Sequence, residues 1–83
     1  MSDRLWIMID IETSGPIIGR HSMCELGAVV GSRGKGIIDS FEALIAPISD
    51  EVITSQDSFD KAKISGEAPA AAMARFAAWC KPH

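Results

Sequence analysis

Two acidic residues close an otherwise apolar run near the start of the sequence. The run is LWIMI, Leu5 to Ile9, and Asp10 and Glu12 follow it, separated by one residue. Residues i and i+2 of an extended chain project to the same face, so these two carboxylates would lie side by side. A divalent cation bound between them relieves their repulsion, and Mg²⁺ and Mn²⁺ prefer such oxygen ligands. Because phosphodiester hydrolysis commonly uses two such ions about 4 Å apart, the pair is a sensible start for a nuclease. The same spacing is also typical of a solvated loop or a helix cap.

The element that positions these acids is predicted to be a buried strand. Leu5 to Ile9 is continuously apolar, is too short for a helix and precedes the turn signal of Ser14, Gly15 and Pro16. This pattern predicts a strand that is buried on both faces, in the centre of a sheet. A loop from Ser14 to Ser22 follows it, with His21 expected at the surface.

Two further strands are predicted, which with the first would form an antiparallel three-stranded meander. They span Met23 to Val30 and Ile37 to Ile45, and the glycine-rich segment Gly31 to Gly36 reads as an exposed hairpin loop. Alternation in the third strand predicts one shared face that carries Ile37, Asp39, Phe41, Ala43 and Ile45.

One main helix is predicted near the end of the sequence, from Pro69 to about Lys81. Its helical spacing predicts a buried face made of Met73, Phe76, Ala77 and Cys80, with Trp79 at the edge. The polar stretch Ser49 to Asp60 indicates short turns.

The net charge, the cysteines and the N-terminal segment restrict the classes of function that we expect for this chain. The net charge of −3 gives no broad basic surface for holding duplex nucleic acid without sequence preference. Cys24 and Cys80 sit in apolar patterns, which favours buried free thiols over a disulfide or a zinc site. The N-terminal segment fits neither a signal peptide nor a membrane span, so we expect a cytoplasmic protein with no membrane partner.

Several stretches together resemble the DEDD superfamily of 3'-to-5' exonucleases, whose fold is ribonuclease H-like. The stretches are DIETSG (Asp10 to Gly15), ELGAV (Glu25 to Val29), FEALIAP (Phe41 to Pro47) and SGEAP followed by FAAW (Phe76 to Trp79). The resemblance implies an α/β chain with a partial ribonuclease H-like fold, in which the meander is followed by one main helix. It also implies hydrolysis at single-stranded DNA or RNA 3' ends with two Mg²⁺ or Mn²⁺ ions.

The resemblance implies a role for each residue of the first motif. Asp10 and Glu12 would be catalytic metal ligands, and Glu12 would also lie near the terminal 3'-hydroxyl. Thr13, Ser14 and Gly15 would lie against the terminal nucleotide.

The family's later motifs, which supply another Asp and then a His or Tyr with a final Asp, have no counterpart here. His21 and His83 are poorly placed to be the family's base. We therefore expect residues 1–83 to be the N-terminal part of one exonuclease domain, inactive alone, and either self-associating or paired with the rest of that domain. The alternatives are a non-catalytic oligomerisation or binding module derived from this fold and, less favoured by the resemblance, a ribonuclease H-type endonuclease.

Overall fold

The computed structural model describes residues 4–83 as a three-stranded antiparallel sheet followed by two helices. The strands are β1 (Leu5–Thr13), β2 (Met23–Ser32) and β3 (Gly36–Leu44), and the helices are α1 (Gln56–Ser65) and α2 (Pro69–Cys80). The predicted α/β class and antiparallel meander are confirmed. The prediction of one main helix missed α1, which begins within the segment expected to form short turns.

The position of β1 differs from the prediction. The strand order is β1-β2-β3, so β1 lies at an edge of the sheet and not at its centre. Its apolar side chains are exposed, with Met8 64% and Ile9 57% accessible. The expected burial on both faces is therefore wrong for the described residues. The reason is that within residues 4–83 β1 pairs with β2 alone, while α2 packs on β3.

The larger core cluster forms between β2, β3 and α2. The Phe41 ring lies 5.2 Å from the Phe76 ring and 5.8 Å from the Trp79 ring, between centroids. Aromatic pairs at such distances contribute about 0.5–1.5 kcal/mol each beyond their area burial. Phe41, Ala43 and Ile45 are buried as predicted from the alternation of the third strand.

The other two members of that predicted face, Ile37 and Asp39, are exposed. They precede the part of β3 that carries Phe41, and α2 ends at Cys80 beside Asp39. The Trp79 Nε1–H donates a hydrogen bond to Asp39 Oδ2 at 2.9 Å. This side of the strand therefore changes from core to a polar contact at the end of the helix.

Helix α2 has the predicted bounds within one residue but faces the sheet differently. Ala72 is fully buried, and Phe76 and Trp79 pack against the core, whereas Met73 and Ala77 are exposed. The prediction of Met73 and Ala77 as buried is therefore wrong. Contact of both aromatic rings with Phe41 fixes the rotation of the helix, which turns these two residues outward.

Helix α1 packs against β2 and forms a second, smaller core cluster with it. Phe59 and Ala62, three residues apart on one face of α1, pack with Cys24, and Val52 adjoins them. Cys24 is buried and Cys80 half-buried, and both thiols are free, as expected. No helix within the described part of the chain is long and apolar enough to span a membrane. The expectation about the N-terminal segment also covers residues 1–3, which lie outside the described residues.

The exposed edge generates a prediction about association. An edge strand that carries exposed apolar side chains is a template for pairing with another strand. We therefore expect the 83-residue chain to self-associate in a concentration-dependent way, measured by sedimentation equilibrium. Ile9→Lys, which places a charge on β1, should weaken association by about tenfold or more, equivalent to about 1.4 kcal/mol.

Ile64→Lys is the matched control, because Ile64 is 86% exposed and belongs to α1, not to the edge strand. It should leave association unchanged. A wild-type chain that stays monomeric at every concentration, or two lysine variants with the same effect, would contradict the prediction.

Candidate metal and nucleic-acid site

The register of β1 on β2 determines where the two acids lie. Asp10 pairs with Gly27 and Glu12 with Glu25, and the pairing is regular until a bulge between Glu12 and Thr13. Asp10 and Glu12 therefore project to the same face, as the two-residue spacing predicts. Because Glu25 lies directly across from Glu12, the register adds a third carboxylate to this end of the sheet.

The same face forms an open groove of about 590 Å³. From the described part of the chain, five carboxylates and one cation, Arg75, line it; the acids are Asp10, Glu12, Glu25, Glu42 and Glu67. Gly27 pairs with Asp10 on one side and with Glu42 on the other. Since glycine has no side chain, the space between these two acids stays open.

The groove is strongly negative because, among residues 4–83, the single cation that lines it, Arg75, is already engaged. Arg75 Nη2 lies 2.7 Å from Glu67 Oε1 and donates to the Glu42 backbone carbonyl at 2.8 Å. Its guanidinium also lies 4.4 Å from the centre of the Phe41 ring. None of the ion pairs within residues 4–83 includes Asp10, Glu12 or Glu25. These three carboxylates are therefore without a cationic partner in that range.

The donor chemistry of this end suits a hard divalent cation. Mg²⁺ and Mn²⁺ commonly use one or two carboxylates and complete their coordination with water and substrate phosphates. Asp10 and Glu12 could supply such a pair. Within residues 4–83 no three His, Cys, Asp or Glu side chains are grouped closely enough to hold a metal ion by themselves. The described residues thus fit part of a ligand set.

Helix α1 and the residue before it supply hydroxyl partners to two of the acids. Ser55 Oγ donates to Glu12 Oε2 at 2.8 Å, and Ser58 Oγ donates to Glu25 Oε2. Sequence reasoning found none of Glu25, Ser55 and Ser58 as site residues. Glu25 carried a partial signal, because it opens the ELGAV stretch, but only the strand register shows that it faces Glu12.

The turn after Glu12 is held by hydrogen bonds of Ser14. The Ser14 backbone N–H donates to the Ser22 carbonyl at 2.8 Å, and Ser14 Oγ accepts from the Ser22 N–H at 2.8 Å. The Ser14 carbonyl accepts from the N–H groups of Ile53 and Thr54 at 2.7 and 3.2 Å. Ser14 is fully buried, so its hydroxyl acts inside the protein. Contact of Thr13, Ser14 and Gly15 with a nucleotide stays a prediction.

His21 is buried beneath this turn, which corrects its expected surface position. The residue is 7% exposed, and its Nδ1 accepts a hydrogen bond from the Ile17 N–H at 3.1 Å. A Cβ added to Gly15 would lie 2.5 Å from the His21 ring. Gly15 therefore has a steric reason to be glycine: the imidazole occupies the space that any side chain would need.

Cys24 lies next to Glu25 in the sequence and takes no part in the groove. Burial of the thiol, and secondarily the negative charge of Glu25, raises the pKa of Cys24. Its Sγ donates to the Ser22 carbonyl at 3.7 Å. The thiol is thus held in its neutral form, which is the inert state of a buried cysteine.

The fold and the groove define a class of protein: an α/β unit with a cluster of carboxylates at the end of an antiparallel sheet, of which Asp10, Glu12 and Glu25 have no cationic partner within residues 4–83. The chain is similar to the 3'-5' DNA exonuclease Cap18 of Escherichia coli, with 32% identity over 80 residues. That alignment covers 90% of this chain and 41% of the relative, so the chain spans about two-fifths of the relative's length. No protein-family profile matches the chain. The similarity supports a relationship to nucleases of the exonuclease kind.

The contact between Gly15 and His21 gives a prediction about stability. Gly15→Ala should lower the free energy of unfolding by about 1–3 kcal/mol, because the new methyl group would overlap the buried ring. Urea denaturation measures this change. Gly27→Ala is the matched control, since a Cβ there would approach only the Asp10 carbonyl, at 3.9 Å.

The control should shift stability by less than about 1 kcal/mol, because a Cβ at that distance makes an ordinary contact. Equal losses in the two variants would show that the His21 ring does not limit residue 15.

Proposed function

We propose that this chain is part of a metal-dependent 3'-to-5' exonuclease of the DEDD superfamily, with a ribonuclease H-like domain. The observation that carries the proposal is the placement of Asp10 and Glu12 side by side at the end of β1, in a groove with few cations. Similarity to an exonuclease over 90% of the chain supports it.

Each site residue has a defined task in this proposal. Asp10 and Glu12 bind Mg²⁺ or Mn²⁺, and Glu12 also lies near the terminal 3'-hydroxyl. Two such ions supply an activated water and stabilise the leaving oxygen in phosphodiester hydrolysis. The turn of Thr13, Ser14 and Gly15 positions the terminal nucleotide. Ser14 is fully buried and its backbone groups bond within the protein, so it supports the turn, and the half-buried Thr13 supplies an accessible side chain.

The substrate is proposed to be a single-stranded 3' end. A negative groove repels the phosphate backbone unless cations are bound, so binding there depends on the ions and not on basic side chains. The relative is named a DNA exonuclease, which makes DNA ends the first substrate to test and RNA ends the second. The remaining ligands would come from other parts of the domain, so we propose that residues 1–83 are inactive alone.

A second candidate, a non-catalytic oligomerisation or binding module, is favoured by one specific observation. The exposed apolar side chains of β1 form a surface suited to pairing with another strand. This candidate predicts association without hydrolysis. A full-length protein that self-associates through β1 and degrades neither DNA nor RNA would favour it over the exonuclease.

The nuclease proposal predicts a metal-dependent activity that requires Asp10. Full-length protein should shorten a 3'-end-labelled, single-stranded oligonucleotide only when Mg²⁺ or Mn²⁺ is present. Asp10→Ala should lower the rate by more than about 100-fold, since loss of a direct ligand should exceed the 10–100-fold effect of outer-shell changes. Product lengths on a denaturing gel measure the rate.

Asp50→Ala is the matched control, because the Asp50 side chain is 90% exposed and pairs with the exposed Lys63. Surface pairs of this kind contribute little, so the control should keep wild-type activity. Full activity in Asp10→Ala would refute the assignment.

A further inference from the structure

The residues that immediately precede α1 are hydrogen-bonded to the acidic end of the sheet. The N–H groups of Ile53 and Thr54 donate to the Ser14 carbonyl, and Thr54 Oγ1 donates to the Thr13 carbonyl at 3.1 Å. The next residue, Ser55, donates from its hydroxyl to Glu12. Three successive residues, 53–55, therefore contact either the end of β1, which carries the candidate ligand Glu12, or the turn that follows it.

Ser55 has a backbone conformation that is unusual for a residue with a side chain. Its φ of 57° and ψ of 46° lie in the left-handed region, and it is the one non-glycine residue within residues 4–83 with positive φ. Such a conformation costs on the order of 1–3 kcal/mol and persists only where the surroundings enforce it. Ser55 precedes α1 without a side-chain cap hydrogen bond, so its hydroxyl is directed at Glu12 and not at the helix backbone.

The electrostatics of the sheet explain why this hydroxyl matters. Glu12 and Glu25 are cross-strand partners, and like charges directly opposite each other are destabilising. Ser55 donates to Glu12 and Ser58 donates to Glu25, so each carboxylate has its own hydroxyl donor. Ser55 donates to Oε2 of Glu12. The bond restrains the orientation of the Glu12 carboxylate, and a carboxylate oxygen that accepts one hydrogen bond can still bind a cation.

We propose that Ser55 is a positioning residue for the metal site, which orients Glu12 through its hydroxyl while its left-handed backbone aims that hydroxyl. The inference rests on the proposed function, because it assigns Ser55 to the same metal-binding carboxylate. Outer-shell hydrogen bonds that orient a ligand typically change metal affinity by about 10–100-fold when removed.

The test compares Mn²⁺ affinity with stability in three full-length proteins: wild type, Ser55→Gly and Ser55→Asn. Glycine accepts the left-handed conformation, so Ser55→Gly removes the hydroxyl and keeps the backbone. We expect its Mn²⁺ affinity, measured by electron paramagnetic resonance, to fall about tenfold, with a melting temperature within about 5 °C of wild type. Asparagine tolerates the same backbone and retains a donor, so Ser55→Asn should bind more tightly than Ser55→Gly.

Ser49→Gly is the matched control, because the Ser49 hydroxyl donates to the Arg20 carbonyl and accepts from the Glu51 N–H, and so bonds to neither Glu12 nor Glu25. It should leave Mn²⁺ affinity unchanged. Wild-type or tighter affinity in Ser55→Gly, or equal affinities in the Gly and Asn variants, would overturn the role of Ser55. Asp10→Ala separates the two proposals: unchanged Mn²⁺ affinity in that variant contradicts the metal site itself, whereas lost affinity together with an unaffected Ser55→Gly contradicts only the positioning role.

Discussion

The antiparallel register between β1 and β2 is the constraint on which the groove depends. Within residues 4–83, β1 has no other strand beside it, so this one ladder fixes both its position and the direction of its side chains. A slip of one residue would turn Asp10 and Glu12 to the opposite face. The cross-strand pairing of Glu12 with Glu25 and of Asp10 with Gly27 follows directly from this register.

The turn that follows β1 is fixed by a second set of interactions. Ser14 and Ser22 exchange hydrogen bonds, and the His21 ring fills the space next to Gly15. The Ser22 hydroxyl also accepts from the Ile48 N–H at 2.9 Å, which ties in the chain that leads from β3 to α1. The acidic strand end is therefore supported on two sides, by the loop before β2 and by the segment before α1, although β1 itself is largely exposed.

Local sequence patterns predicted the strands and the last helix of this chain better than they predicted what each element packs against. Alternation predicted that Phe41 and Ala43 face inward, and the spacing of Asp10 and Glu12 predicted their common face. The burial of β1 and the rotation of α2 could not be predicted, because they depend on which element packs against which strand. Met73 and Phe76 both fit a helical apolar stripe, and only the contact of Phe76 with Phe41 selects between possible rotations.

The contacts at the candidate site that the sequence did not predict were missed for the same physical reason. Ser55 and Glu12 are 43 residues apart, so the hydrogen bond between them exists only after α1 has packed on the sheet. Likewise, the residues around His21 have the composition of a surface loop. The His21 side chain is nevertheless buried, because the turn at Gly15 lies over its imidazole ring. Contacts between residues distant in sequence carry no signal in the spacing of either partner.

The central claim is that Asp10 and Glu12 bind a divalent cation, and a Mn²⁺ titration followed by nuclear magnetic resonance tests it most directly. Paramagnetic broadening falls steeply with distance from the ion, so the first amide signals to disappear locate the site. We predict that signals of residues 10–13 and 25–27 broaden first, and that Asp10→Asn removes this preference. Broadening that begins instead at exposed acids such as Asp50 and Asp57, with residues 10–13 unaffected, would contradict the account.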